Sequence, residues 1–203
     1  MENKMLKEFK EAIELRRSHY QINKEELVSD EEILETIKHV VKHTPSAFNS
    51  QTARVVVLFN DNHKKLWDIT KESLRKIVSE DNFPATKEKI ESFEAGYATV
   101  LFFEDTKIIK SLQESFPTYS ANFPIWSKES SGMHQFNVWT SLKLLGYGAS
   151  LQHYNELIED EVKKTWDLPS HWTLRAQMPF GKPTANPGEK EFQPLDNRVV
   201  VFK

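Results

Sequence analysis

The sequence predicts a helix-rich α+β domain built around a central sheet. Three observations lead there. Apolar residues recur at helical spacing in several segments. Unbroken β-branched and aromatic runs have the composition of buried strands. These runs come at intervals too irregular for a doubly wound parallel sheet. The 203 residues are read as one domain, 1–203, long enough to bury a sizeable core.

Leu6 to Arg17 reads as the first helix, with Leu6, Phe9, Ile13 and Leu15 as a core stripe. Ser29 and Glu32 have the Ser-x-x-Glu spacing of a capping box and start a second helix, which carries Ile33, Ile37, Val40 and Val41. Pro45 forbids its continuation, and Thr44 is expected to be extended. Val55 to Phe59 is a strand expected to be buried on both faces. His63 to Val78 is helical, and Ala85 to Phe93 is a weaker helix after Pro84. Ala98 to Phe103 is the second buried strand, followed by a helix from Lys107 to Ser115. Met133 to Leu145 is apolar nearly all round, so it belongs in the core or in a subunit interface, and Gly146 stands where a helix-ending glycine belongs. Glu159 to Trp166 is a short helix, Thr173 to Phe180 a strand, and Asn186 to Pro194 turn-rich. Val199 to Phe202 is a last strand, apolar on both faces, that needs a sheet of its own chain or of a partner.

Composition excludes several function classes. The balance of 27 Lys+Arg against 30 Asp+Glu argues against a broad nucleic-acid surface. Without cysteine there are no disulfides, thiolate zinc sites, iron–sulfur clusters or cysteine nucleophiles. The apolar runs fall far short of the roughly 20 residues of a membrane span. Met1 to Leu6 has no apolar leader, and a cytoplasmic location is the expectation. His39 and His43 have a metal-ligand spacing, but Val40 stands where the zinc-protease pattern needs Glu, so they are expected to flank a solvated face. Ser18 and Ser46 lack the Gly-x-Ser-x-Gly setting of a hydrolase.

Four segments carry the chemistry. Arg16-Arg17-Ser18-His19-Tyr20 suits a phosphate, because guanidinium groups bind it bidentately; read alone, its basic residues more simply answer a helix dipole. Pro45-Ser46-Ala47-Phe48-Asn49-Ser50-Gln51 combines small residues with amides and lets a flat ligand approach, or is an ordinary loop. Leu145-Gly146-Tyr147-Gly148-Ala149-Ser150-Leu151-Gln152-His153-Tyr154 has the glycines of a close backbone approach, or of a cap and turn. Phe180-Gly181-Lys182-Pro183, with Arg198 before the last strand, adds two cations.

In this order and spacing the four segments resemble the FMN-dependent nitroreductase family, over essentially the whole chain. The stretch from Ser150 to Asn155 is similar to a small branch of bacterial and fungal NAD(P)H nitroreductases and fatty-acid-repression-related proteins. The resemblance implies a central mixed sheet flanked by helices, in an intertwined homodimer whose C-terminal strand joins the partner. It implies an oxidoreductase that takes hydride from NADH or NADPH on FMN and passes it, ping-pong, to nitroaromatics or quinones. No side-chain nucleophile is then needed, because the cofactor carries the reaction. Arg16, Arg17 and Ser18 would hold the phosphate and ribityl chain. Ser46, Ala47 and Asn49 would line the flavin from the other subunit, with Gln51 in support. Gln152 and His153 would present backbone N–H near the flavin, and Arg198 and Lys182 would reach the phosphate. Tyr20 departs from the pattern, since many members carry a cation there facing the flavin; Lys87 or Lys89 are the substitutes considered. The aromatic loop from Phe116 to Trp126 either lids the site and selects flat apolar substrates or packs in the dimer core. A flavin-binding sensor with little turnover is the alternative class.

Overall fold

The computed structural model describes residues 3–203; the expectation for Met1 to Leu6 falls in part on Met1 and Glu2, which lie outside the described residues. Among the described residues five strands form one sheet: β1 (Ile22–Asn23), β2 (Ala53–Phe59), β3 (Ala98–Asp105), β4 (Gly148–Ala149) and β5 (Trp172–Pro183). The order is β1-β5-β3-β2, with β4 also paired to β5. Every pairing of these strands is antiparallel, and parallel pairing is confined to one bridge, Ser18 with Ala149. The α+β class is as expected, while the mixed character of the sheet shrinks to that bridge.

Among the described residues seven α-helices flank the sheet: α1 (Lys4–Leu15), α2 (Asp30–His43), α3 (Asn60–Arg75), α4 (Phe83–Glu94), α5 (Thr106–Ser115), α6 (Phe123–Leu144) and α7 (Asn155–Thr165). Alternation along β3 divides the core in two. Ala98, Val100 and Phe102 meet Ile33 and Ile37 of α2 and Val138 and Leu142 of α6 on one face. Leu101 and Phe103 meet Leu66 and Trp67 of α3, Phe93 of α4 and Ile158 of α7 on the other. No helix among the described residues is long and apolar enough to cross a membrane.

Local signals explain most boundaries. The Ser29 hydroxyl accepts from the Glu32 N–H, three acids follow in the first turn of α2, and Thr44 is extended before Pro45. Gly146 adopts φ +94° past the end of α6, and the Tyr147 N–H returns to the Leu142 carbonyl. Pro84 lies in the first turn of α4.

Four expectations change. Helix α6 begins ten residues before the expected Met133, because Pro124 sits in its first turn rather than outside it. Strand β2 is half-buried apart from Leu58, because it is the sheet's edge and has β3 on one side alone. The α1 stripe of Leu6, Phe9, Ile13 and Leu15 is exposed, with Ala12 alone buried, because α1 lies against α6 outside both core layers. Val199 to Phe202 forms no strand in this chain; these residues are exposed and no sheet edge of the chain receives them.

The second core layer contains a histidine held neutral. His63 Nε2 faces the Glu94 carbonyl at 3.0 Å, so it carries the proton, and Nδ1 accepts from the Thr99 hydroxyl at 2.8 Å. That hydroxyl in turn accepts from Trp67 Nε1. Burial pushes the His63 pKa down from 6.5 to about 4. A depressed histidine stabilises fully above its unfolded pKa, and the contribution is lost as pH falls from 6.5 towards 4. The stability advantage of the native protein over His63→Gln should therefore shrink over that window by roughly 3 kcal/mol, read from urea unfolding at stepped pH.

Candidate functional site

The end of α1, the Ser18–Ala149 bridge and residues 185–190 of the C-terminal tail enclose a cleft of about 500 Å³. Arg16, Arg17, Ser18, His19 and Tyr20 line it. Helix α1 stops at Leu15, and Arg16 continues in extended backbone, so successive side chains diverge instead of following one helical face. His19 is fixed by its N–H to the Ala149 carbonyl at 2.9 Å. Gly148 makes room for it: a Cβ there would lie 2.7 Å from the His19 ring.

The cleft has the electrostatics of an anion site. The Arg16 guanidinium lies 4.5 Å from the Trp139 ring centre and 6.0 Å from that of Phe136. Its Nε is buried with no hydrogen-bond partner. Burial, then the neighbouring charge of Arg17, lowers its pKa. Arg17 donates to the Gly188 carbonyl at 2.7 Å and ties the tail across the cleft. Glu189 is the one acid among the lining residues, against Arg16, Arg17 and Lys190. Lys190 and Trp139 lie outside the four segments read from the sequence; they reach the site because the tail and α6 fold over the end of α1.

From this bridge the chain runs along β5 to a second bridge, Gln152 with Gln177. Three residues of extended chain separate Ala149 from Gln152, roughly 10 Å. Gln152 is buried, its amide donating to the Ser150 hydroxyl at 3.0 Å, and His153 is exposed at the turn. A ligand with an anionic end and an extended body fits a path from Arg16 to this turn.

The loop of Ser46, Ala47, Asn49 and Gln51 is elsewhere. The Ser46 hydroxyl accepts from the Gln51 N–H at 3.0 Å, and Arg54 donates to the Gln51 carbonyl at 2.9 Å. Phe48, Asn49 and Gln51 have φ of 57°, 50° and 49°. The left-handed Phe48 is held among Phe116, Tyr119, Phe123 and Trp126, with ring centres 5.1 to 5.8 Å away. Arg16 packs on Trp139 and Phe48 on Trp126, thirteen residues apart along α6 and so about 20 Å. One chain does not bring the loop to its own cleft. Lys182 is paired with Glu25 at 2.6 Å, and Arg198 lies exposed in the tail; neither lines the cleft. Lys87 and Lys89 lie on α4, which packs on α3, also outside it.

A family model described as the Nitroreductase family matches residues 13–182. The chain belongs to the nitroreductase family. As such it is an oxidoreductase of the nitroreductase type. Nitroreductase FRM2 of Saccharomyces cerevisiae is 36% identical over 193 residues, 94% of this chain and 95% of that protein. Nitroreductase CinD from Lactococcus lactis, solved with nicotinic acid, is 44% identical and superposes with a TM-score of 0.90, covering 96% of this chain and 100% of that one. The same nitroreductase has been solved with 4-nitrophenol. A structure from Desulfovibrio desulfuricans in complex with FMN shares the fold at 21% identity, with a TM-score of 0.68 over 100% of this chain and 99% of that one.

Proposed function

We propose that this nitroreductase is an FMN-dependent oxidoreductase that passes hydride from NADH or NADPH to electron-poor aromatics such as nitroaromatics and quinones. One observation carries the reading: the half-buried Arg16, whose buried Nε has no hydrogen-bond partner, beside Arg17 and Ser18 at the head of a path that ends in an exposed turn. The FMN phosphate fits there, because a dianion supplies the acceptors that Arg16 lacks and relieves the repulsion of Arg17. When bound, FMN supplies the redox chemistry, taking hydride from the nicotinamide and giving it to the acceptor in alternating half-reactions.

The chain's own residues then have separate tasks. Arg16 and Arg17 bind the phosphate, Ser18 the ribityl chain, and the 152–153 turn faces the ring. Ser46, Ala47, Asn49 and Gln51 line the ring from a second copy, which answers the 20 Å gap. The exposed α1 stripe and the exposed Val199–Phe202 tail are the surfaces this homodimer covers. Phe48, Phe116 and Tyr119 each leave more than a third of their surface exposed beside that loop, an aromatic face suited to flat substrates. The 4-nitrophenol and nicotinic acid bound by the Lactococcus relative are such molecules.

Anaerobic addition of NADH or NADPH to the FMN-loaded protein tests this. Bleaching of the flavin within seconds, and its return on adding 4-nitrophenol, is the expected result. A flavin that stays oxidised with both donors rejects the reductase in favour of a flavin sensor.

A further inference from the structure

We infer that Gln177 is the positioning residue of the 152–155 turn and that it leaves the His153 backbone N–H as the turn's donor to the ligand. The inference rests on the flavin reading for the ligand's identity, but its geometry stands on this chain alone. Gln177 lies on β5, fully buried, opposite Gln152. Their backbones exchange two bonds: Gln152 N–H to the Gln177 carbonyl at 2.7 Å, and Gln177 N–H to the Gln152 carbonyl at 2.9 Å. Past Gln152 the chain leaves β5, and the Gln177 side chain follows it. Its Oε1 accepts from the Tyr154 N–H at 2.7 Å, and its Nε2 donates to Asn155 Oδ1 at 2.8 Å. Asn155 Nδ2 donates to the Arg175 carbonyl at 2.8 Å.

This network has one orientation. An N–H of Tyr154 must meet an oxygen, which fixes the Gln177 amide. The Gln177 NH₂ must then meet Asn155 Oδ1, which turns the Asn155 NH₂ to the Arg175 carbonyl. The backbone donors on both sides of His153 are thereby consumed by the same residue. The His153 N–H meets no acceptor among the described residues, and His153 is exposed. A free donor between two pinned neighbours is preorganised for an acceptor atom on a ligand, because nothing has to be ordered on binding.

Gln177→Met keeps the side-chain volume and removes both side-chain bonds. In the full-length protein without flavin, the Tyr154 amide should exchange roughly two- to tenfold faster, while amides of the β3–β5 ladder keep their protection. FMN affinity should fall by a similar factor, and the visible band of the bound flavin should change shape. Asn155→Ala removes the second brace and should give the same pair of changes at smaller size, so misfolding of one variant leaves a reading on the other. Unchanged Tyr154 exchange overturns the proposal. So does faster exchange with unchanged FMN affinity and spectrum, which makes Gln177 a structural brace only. A wild-type protein that takes no FMN overturns it together with the flavin reading; the exchange data then show whether the turn is still pinned.

Discussion

Arg16→Ala is expected to weaken FMN binding by roughly ten- to hundredfold, the loss of a charge-assisted hydrogen bond worth about 1.5–3 kcal/mol. Arg16 carries this expectation because the fold has prepared it at a cost. Its charge is partly desolvated between Trp139 and Arg17, Nε has no partner, and no carboxylate among the described residues neutralises it. A group held for structure alone is usually paired when buried. The same logic separates binding from folding: the flavin-free melting temperature should not fall in Arg16→Ala. Lys182→Ala is the control, since its ammonium is held by Glu25 at 2.6 Å and lies outside the cleft. Equilibrium titration of each flavin-free variant with FMN checks the pair; equal losses at Arg16 and Lys182 would break the phosphate assignment.

Glu104→Gln is expected to stabilise the protein at alkaline pH, by an amount of order 3 kcal/mol. Glu104 is 1% exposed at the end of β3; Oε2 accepts a hydrogen bond from the Thr52 hydroxyl, and Oε1 is buried without a partner among the described residues. Burial raises its pKa from 4.5 to about 7, against the opposing pull of Thr52, Arg175 and Arg54. For a carboxyl raised in the folded state, the native protein holds the proton more tightly. Its stabilising contribution is complete below pH 4.5 and is lost as pH rises through about 7. Glutamine keeps an acceptor for Thr52 and removes the titration. Urea unfolding should give similar stabilities for the two proteins at pH 4.5 and a gap that widens to pH 8. A gap independent of pH would mean that Glu104 does not titrate in this window.

Particular residues show where sequence was enough. Ser29, Glu32 and Pro45 bound α2 by short-range chemistry, and the structure follows them. Ala98 to Phe103 reads as buried because every residue is apolar or small, and β3 is buried throughout. Strands β1 and β4 escape because two residues carry no periodicity; only their pairing with β5 defines them. The stripe of α1 and the tail of valines have the pattern of core, but a pattern does not say whose core. The residue types of Arg16 to Ser18 suit either an anion or a helix dipole; the end of α1 at Leu15 and the cleft beside Arg16 favour the anion. Trp139 beneath Arg16, Lys190 across the cleft and the hold of Gln177 on the turn were not legible, because each depends on segments brought together from far along the chain.

The central claim is a flavin site completed between two chains, and mixing two defective chains tests it most directly. Arg16→Glu puts an acid at the phosphate, and Ala47→Trp fills the small position of the loop. Each alone should take no FMN. Unfolded and refolded together, the pair forms heterodimers in which one site has the intact Arg16 of one chain and the intact Ala47 of the other. Two-fold symmetry then predicts recovery of roughly a quarter of the wild-type FMN binding. No recovery, with heterodimers present by mass, would place both segments in one chain's site and contradict the account.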